Sequence, residues 1–227
     1  MDSKLRRLLF PVAACALTSS GLAWRAQQHA IHLLKAQEYY GHPSLGPGGG
    51  SWFGLYKADD GWVLSATRVS IDTSKPTSTV VAVDRSENPL FLFQGRPTFA
   101  EGSVDVAFVG ASFVYPGQPR DLTLAGELYV LRAAGTRRGR QGDITFAEYK
   151  LELAHAGRTQ VLFRAPLVEE EGPNLVLTGD LDRDGRLDLV LDLRRSYVGN
   201  RYTLFLSSLA PKDSLVIKAA ELVVMGS

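Results

Sequence analysis

Several features that would identify a common class of protein are rare in this sequence. One cysteine among 227 residues excludes an intramolecular disulfide, so an exported chain would need another source of stability, such as a bound metal. The formal net charge is only +1. The single dense cationic cluster, Arg137–Arg140, lies between glycines, which is typical of a hairpin tip. The composition therefore argues against a nucleic-acid partner.

The sequence also lacks a recognisable catalytic motif. Neither Ser65 nor Ser207–Ser208 has a Gly-x-Ser-x-Gly setting, and no glycine-rich phosphate loop is present. His29 and His32 have the spacing of two metal ligands on a helix but no identifiable third ligand. Glu169–Glu171 is a charge run typical of a solvated loop. None of these residues predicts a reaction.

The N-terminal residues have the order of a secretory signal. Three basic residues between positions 4 and 7 precede an apolar stretch from Leu8 to Leu17, which predicts a signal segment over residues 1–23. Alternatively, Val12–Cys15 resembles a bacterial lipobox, in which a lipidated Cys15 would attach the protein to a membrane. A buried helix or an uncleaved anchor is the remaining alternative, and the stretch is short for a membrane span. We expect export to the periplasm, the cell envelope or the medium.

The next segment differs from both its neighbours. Residues 24–40 have apolar or aromatic side chains at positions 31, 33, 34, 39 and 40 and no glycine or proline, which predicts a short helix. Residues 41–50 are rich in glycine and proline, so we interpret them as a linker between this helix and the domain that follows.

From residue 51 onward, short runs rich in Val, Ile, Phe, Tyr and Thr alternate with turn clusters, which predicts β-strands. With no long helix between them, these runs predict a single all-β domain over residues 51–227, an antiparallel sandwich or open barrel. A β-bulge near Glu148 would keep the alternation of the 143–154 run in register. The predicted strands cover residues 52–58, 61–72, 78–84, 89–95, 104–114, 121–134, 143–154, 159–167, 174–179, 187–193, 201–209 and 214–224.

One stretch, residues 178–193 (TGDLDRDGRLDLVLDL), concentrates carboxylates between two apolar runs. Asp180, Asp182 and Asp184 occupy alternate positions, so their carboxylates converge if the chain turns there. Converging carboxylates repel one another, and a hard divalent cation relieves that repulsion. Gly185 allows a sharp turn after the third aspartate, and this turn would direct the carbonyl of Arg186 inward. Asp188 at the ninth position would complete a set of five calcium ligands.

The same stretch departs from an EF-hand. Leu191 stands at the twelfth position, where an EF-hand requires glutamate, and the flanking runs predict strands rather than helices. Asp192 lies beyond the loop on an alternating strand, so we expect it to face solvent. Replacing Asp192 by alanine is therefore expected to change neither calcium binding nor stability.

The run GDLDRDGRLDLVL resembles the calcium loop of FG-GAP or VCBS-type repeats, found in integrin α-subunit propellers and in many exported bacterial proteins. The resemblance implies calcium bound between adjacent strands by Asp180, Asp182, Asp184, the Arg186 carbonyl and Asp188. Because the sequence contains one copy, it does not imply a propeller. Residues 201–224 are also similar to the ends of otherwise uncharacterised exported bacterial proteins that carry one such loop.

Together these observations favour a non-enzymatic, exported binding or envelope-associated module that is stabilised by one calcium ion and recognises an unidentified protein or glycan. The alternative is a secreted hydrolase in which calcium is only structural. A third interpretation is a lipid-anchored component of a larger assembly. Four aromatic residues are candidates for a sugar-binding platform, although core packing is the better expectation for most of them: Trp52, Tyr56, Trp62 and Tyr115.

Overall fold

The computed structural model describes residues 31–40, 51–75, 77–95, 98–140, 143–170, 172–196 and 199–225. Within these ranges every regular element is a strand, and none of the described residues belongs to a helix that could span a membrane. In chain order the strands are β1 His32–Leu34, β2 Glu38–Tyr40, β3 Trp52–Ala58, β4 Gly61–Thr67, β5 Val69–Asp72, β6 Thr77–Ala82, β7 Leu92–Gln94, β8 Gly102–Val104, β9 Val106–Phe113, β10 Arg120–Leu124, β11 Glu127–Arg138, β12 Thr145–His155, β13 Arg158–Glu169, β14 Asn174–Gly179, β15 Asp188–Asp192, β16 Asn200–Leu206 and β17 Ile217–Val224.

These strands form four antiparallel sheets, none of which closes into a barrel. Sheet I has the order β1-β7-β3-β4-β8, and sheet II has the order β2-β6-β5. Sheet III is the meander β10-β11-β12-β13, and sheet IV has the order β17-β16-β15-β14-β9. The predicted all-β, antiparallel class is confirmed.

The central strands of sheet IV are buried on both faces, whereas its edge strands β9 and β17 are partly exposed. Val190 and Leu204 belong to a core cluster shared with sheets I and II. Leu189, Leu191 and Phe205 belong to a second cluster shared with sheet III. Strands β14 and β15 are consequently buried along their whole length, which explains their nearly continuous apolar sequences. The connection between β14 and β15 is therefore attached to the most enclosed sheet described.

Residues 31–40 do not form the predicted helix. They form β1, which pairs with β7, and β2, which pairs with β6. The Tyr39 hydroxyl donates to the Lys35 carbonyl at 2.6 Å and accepts from the Lys35 amide at 2.9 Å, which closes the turn between the two strands. Burial of Leu33, Leu34 and Tyr39 in the core outweighs local helix propensity. The signal segment, residues 24–30 and the linker over residues 41–50 lie outside the described residues.

Candidate metal site

The aspartate-rich connection between β14 and β15 begins at a glycine that no other residue could replace without movement. A Cβ on Gly179 would lie 2.5 Å from the carbonyl oxygen of Asp105, because the two backbones approach closely there. The amide of Asp180 donates to the same carbonyl at 2.8 Å. The start of the loop is thus fixed against the segment that precedes β9.

Asp180 organises the turn from within. Its Oδ1 accepts from the amide of Asp184 at 2.9 Å, and its Oδ2 accepts from the amide of Gly185 at 2.9 Å. Arg183 and Gly185 both have positive φ, 63° and 80°, and this backbone conformation reverses the chain. The turn returns the chain to β15 at Asp188, close to Asp180.

Three carboxylates meet inside this loop. One carboxylate oxygen from each of Asp180, Asp182 and Asp188 lies within 4.8 Å of the other two. Calcium binds oxygen at about 2.3–2.6 Å, so two ligands on opposite sides of one ion are about 5 Å apart. The spacing of the three oxygens is therefore compatible with a shared divalent cation.

Asp188 is completely buried, and its hydrogen-bond partners are all neutral. Its Oδ1 accepts from the amide and the hydroxyl of Ser207 at 2.8 and 3.0 Å, and its Oδ2 accepts from the Leu181 amide at 2.9 Å. Removal from water, and then the charge of Asp182, raises the pKa of Asp188 well above its ordinary value.

Asp182 has one satisfied and one unsatisfied oxygen. Its Oδ2 accepts from the hydroxyl of Ser208. Its Oδ1 is buried and makes no hydrogen bond with any residue that the structure describes. Burial is the main cause of a raised pKa for Asp182, and the charges of Asp184 and Asp180 contribute in the same direction. A carboxylate oxygen of this kind is costly unless a cation or donor approaches it.

The fourth predicted carboxylate lies beside this trio rather than in it. Asp184 Oδ2 contacts Nη2 of Arg186 at 2.6 Å and Nε at 2.9 Å, and Asp184 Oδ1 accepts from the Arg186 amide at 2.9 Å. The Ser207 hydroxyl lies 3.0 Å from both oxygens of Asp184 and from Oδ1 of Asp188. The Ser207 hydroxyl therefore lies between Asp184 and Asp188, and Arg186 neutralises the charge of Asp184.

Ser207 and Ser208, which directly follow β16, are part of this site. The sequence pattern does not predict this role for them. The pairing of β15 with β16, which aligns Leu189 with Phe205, brings the residues after Leu206 beside Asp188. The two serines are 19 and 26 residues away from their carboxylate partners in the chain. No local pattern in the sequence indicates that proximity.

Asp192 does not face solvent as expected. It is 1% exposed, and its Oδ2 lies 2.7 Å from both Nε of Arg194 and Nδ2 of Asn200. Its Oδ1 accepts from the amide of Arg201 at 2.8 Å. The alternation of β15 places Asp192 on the same face as Asp188, and Arg194, Asn200 and Arg201 contact its carboxylate there.

The other candidates for chemistry are scattered. Trp52 and Tyr56 are buried in the core as expected, whereas Trp62 and Tyr115 are half-buried. His32 packs near the Trp52 ring at 6.5 Å, and burial lowers the pKa of its imidazole. Within the described residues, Asp180, Asp182 and Asp188 are the only group of three potential metal ligands close together. His29 and Cys15 lie outside the described residues.

Comparison of the chain with known proteins identifies no relative. No family model matches the chain, and neither a curated protein nor a solved structure matches it. The arrangement of the carboxylates is therefore the basis for any functional proposal.

Proposed function

We propose that the β14–β15 loop binds a single calcium ion and that this ion stabilises the β domain of an exported, non-enzymatic binding or envelope-associated module. Asp180, Asp182 and Asp188 would supply the first ligands. Asp184, which contacts Arg186 in this structure, and the Arg186 carbonyl are the further ligands that both the spacing of the loop and the FG-GAP or VCBS-type resemblance imply.

The observation that carries this proposal is the buried Oδ1 of Asp182. It lies in a cluster of three carboxylates whose hydrogen bonds come only from amides and hydroxyls, and neither Asp182 nor Asp188 forms an ion pair with any described residue. In their ionised form, these carboxylates would repel one another and remain desolvated without a partner of opposite charge. A divalent cation compensates both.

Calcium fits these ligands better than magnesium. Calcium accepts six to eight oxygen ligands in an adaptable geometry, whereas magnesium requires a near-ideal octahedron and retains several waters. A loop that offers up to four carboxylates and a carbonyl therefore favours calcium. Sites of this kind in extracellular proteins bind with Kd values of about 10⁻⁴ to 10⁻³ M, which suits an environment where calcium is abundant.

The role proposed for the ion is to join two strands. The loop connects β14 to β15 in the sheet that both core clusters share, and Ser207 and Ser208 extend the connection to β16. Their hydroxyl groups donate to carboxylates, which supports a structural role over the hydrolase alternative. The export part of the proposal is supported by the basic and apolar order of residues 4–17.

The direct test is thermal unfolding of the full-length chain in calcium, in magnesium and in a calcium-free buffer with chelator. We expect calcium to stabilise the protein by about 1.4 kcal/mol at ten times its Kd and by about 2.7 kcal/mol at a hundred times its Kd. Magnesium at the same concentration should produce a much smaller shift. An unfolding midpoint that is identical in all three buffers would contradict the proposal.

A second experiment tests the exported state separately. Mass spectrometry of the protein isolated from its native cell would give the mature N-terminus. A chain that begins at Trp24 indicates secretion, and a lipidated Cys15 indicates membrane attachment. An intact Met1 would contradict processing while leaving the calcium measurement unaffected.

A further inference from the structure

A cleft beside the carboxylate cluster is formed by four segments of the chain. It encloses about 370 Å³ between the first residues of β11, the β12–β13 turn, the β14–β15 loop from Gly185 onward and the residues that follow β16. This volume lies within the range of about 300–1,000 Å³ in which small-molecule sites are found. We propose that this cleft binds a small organic anion through a carboxylate or phosphate group.

The cleft wall has more positive than negative side chains. Arg158, Arg186 and Lys212 line it, against one acidic residue, Glu127. Asp184 already neutralises Arg186. Arg158 and Lys212 form no ion pair with any described residue, so two of the three cations are not offset by a partner of their own.

One of these cations, Arg158, is held in place by a hydrogen bond. Nη1 of Arg158 donates to the backbone carbonyl of Lys212 at 2.9 Å, which ties the β12–β13 turn to the segment after β16. The guanidinium has five N–H donors, so this single bond leaves donors for a planar anionic group. The contact places the backbone of Lys212 beside Arg158, and both residues line the cleft.

Apolar and aromatic side chains line the cleft together with these cations. The rings of Tyr129 and His155 stack with centroids 4.0 Å apart and planes 14° apart, and both residues line the cleft together with Leu187 and Leu215. Nδ1 of His155 lies 3.0 Å from the Leu128 carbonyl and must donate to it, because a carbonyl only accepts. A ligand with a carbon ring and an anionic group matches this combination of surfaces.

The experiment is an NMR titration of the full-length chain in calcium-free buffer with three matched probes: benzoate, phenyl phosphate and uncharged benzyl alcohol. We expect at least one anion to shift the amide signals of Gly185, Leu187 and Ser214 and to bind at least tenfold more tightly than benzyl alcohol. The anion that binds identifies whether a carboxylate or a phosphate is preferred. Equal binding of benzyl alcohol, or no shift at these amides with either anion, would overturn the proposal.

Matched variants separate specific binding from general charge. Lys212→Gln removes a charge without removing any described hydrogen bond, and we expect it to weaken the anion at least threefold. Arg158→Gln combined with Lys212→Gln should weaken it at least tenfold. Lys218→Gln removes an exposed cation of β17 outside the cleft and should leave binding unchanged. An equal loss in Lys218→Gln and Lys212→Gln would show that the anion responds only to net charge.

Discussion

The two ends of β15 bury the same functional group in opposite electrostatic surroundings. Asp188 begins the strand and Asp192 ends it, and both are essentially inaccessible to water. Amides and a hydroxyl surround Asp188, with Asp182 and Asp184 as acidic neighbours. Asp192 instead has a guanidinium as a direct partner.

The surroundings of Asp192 supply further positive charge. Lys35 lies over the rings of Phe91 and Tyr202, at 5.4 and 5.0 Å from their centroids, and the charge of Asp192 opposes the effect of burial on the pKa of Lys35. Asp192 is therefore a carboxylate whose charge the protein compensates itself. Burial alone does not distinguish a metal ligand from a structural ion pair, whereas the charge of the partners does.

The largest expected loss of stability follows from replacing Asp192, the carboxylate that Arg194 neutralises. Asp192→Ala leaves Arg194 without its partner and removes acceptors from Asn200 and the Arg201 amide, so we expect a loss of about 3 kcal/mol in the free energy of unfolding. The loss should be equal with and without calcium, because Asp192 belongs to another site. Urea unfolding in both buffers measures it.

Because Asp192 is buried, Asp192→Ala is now expected to destabilise the protein, contrary to the prediction made from the sequence. A loss below about 0.5 kcal/mol, the usual limit for surface substitutions, would show that the ion pair is not stabilising. A change in calcium affinity would show that the two ends of β15 are coupled.

The next effect concerns the uncompensated end and should change sign with calcium. In calcium, Asp182→Ala should remove most of the stabilisation by the ion, about 1–3 kcal/mol at tenfold to hundredfold saturation. Without calcium, the same change removes a like charge and a buried oxygen that makes no hydrogen bond. These gains offset the loss of the hydrogen bond from Ser208, so the variant should be as stable as the wild type or more stable.

The matched control for Asp182→Ala is Asp121→Ala, which removes an exposed carboxylate on β10. It should have little effect in either buffer. Destabilisation of Asp182→Ala by the same amount in both buffers would indicate a purely structural carboxylate and would contradict the calcium proposal.

Some features of the fold follow from residues that are adjacent in the chain, and these features can be predicted from the sequence. β3 and β14 have the bounds that their apolar runs indicate, and the predicted bulge is present, where Glu148 has a φ of 52° and the β11–β12 register shifts. These features depend on residues adjacent in the chain. Three longer runs each divide into two strands, at Arg68, at Asp105 and at the Ala125–Gly126 turn, because their halves pair with different neighbours or fold back.

The candidate site shows the same limit. The spacing of aspartates brings Asp180, Asp182 and Asp188 together within one loop, as local spacing can. The Ser207 and Ser208 contacts depend on the register between β15 and β16. The burial of Asp192 depends on contacts with Asn200 and Arg201 of β16 as well as with Arg194. The helix prediction is wrong for residues 32–40 for a related reason. The two strands that these residues form depend on pairing with β7 and β6, which are distant in the chain.

An intermediate effect should appear in the pH dependence of the calcium shift. The folded-state pKa of Asp188 is raised above its unfolded value, so protonation stabilises the calcium-free fold at low pH and this stabilisation is lost as pH rises through the raised pKa. Calcium requires the deprotonated carboxylates. The difference in unfolding midpoint between calcium and calcium-free buffer should therefore decrease as the pH falls from 7 towards the ordinary pKa of Asp.

Asp192 provides the internal reference for that measurement. The loss caused by Asp192→Ala should not depend on calcium at any pH in this window, because Asp192 and Arg194 lie at the opposite end of β15 from the proposed ion. A calcium shift that stays constant from pH 7 to pH 4 would show that the protonation of Asp188 and Asp182 is not linked to the ion.

The smallest effect tests whether Ser207 holds the uncompensated end in place. Its hydroxyl lies 3.0 Å from oxygens of both Asp184 and Asp188 but has one proton, so it bonds to one carboxylate at a time. Ser207→Ala removes this bond and keeps the Ser207 amide that donates to Asp188. We expect a loss of about 1 kcal/mol in either buffer and weaker calcium binding, measured by calorimetric titration. Ser207→Thr, which keeps the hydroxyl, should recover most of the affinity; equal weakening in both variants would indicate that packing at this position, rather than the hydrogen bond, supports the ligands.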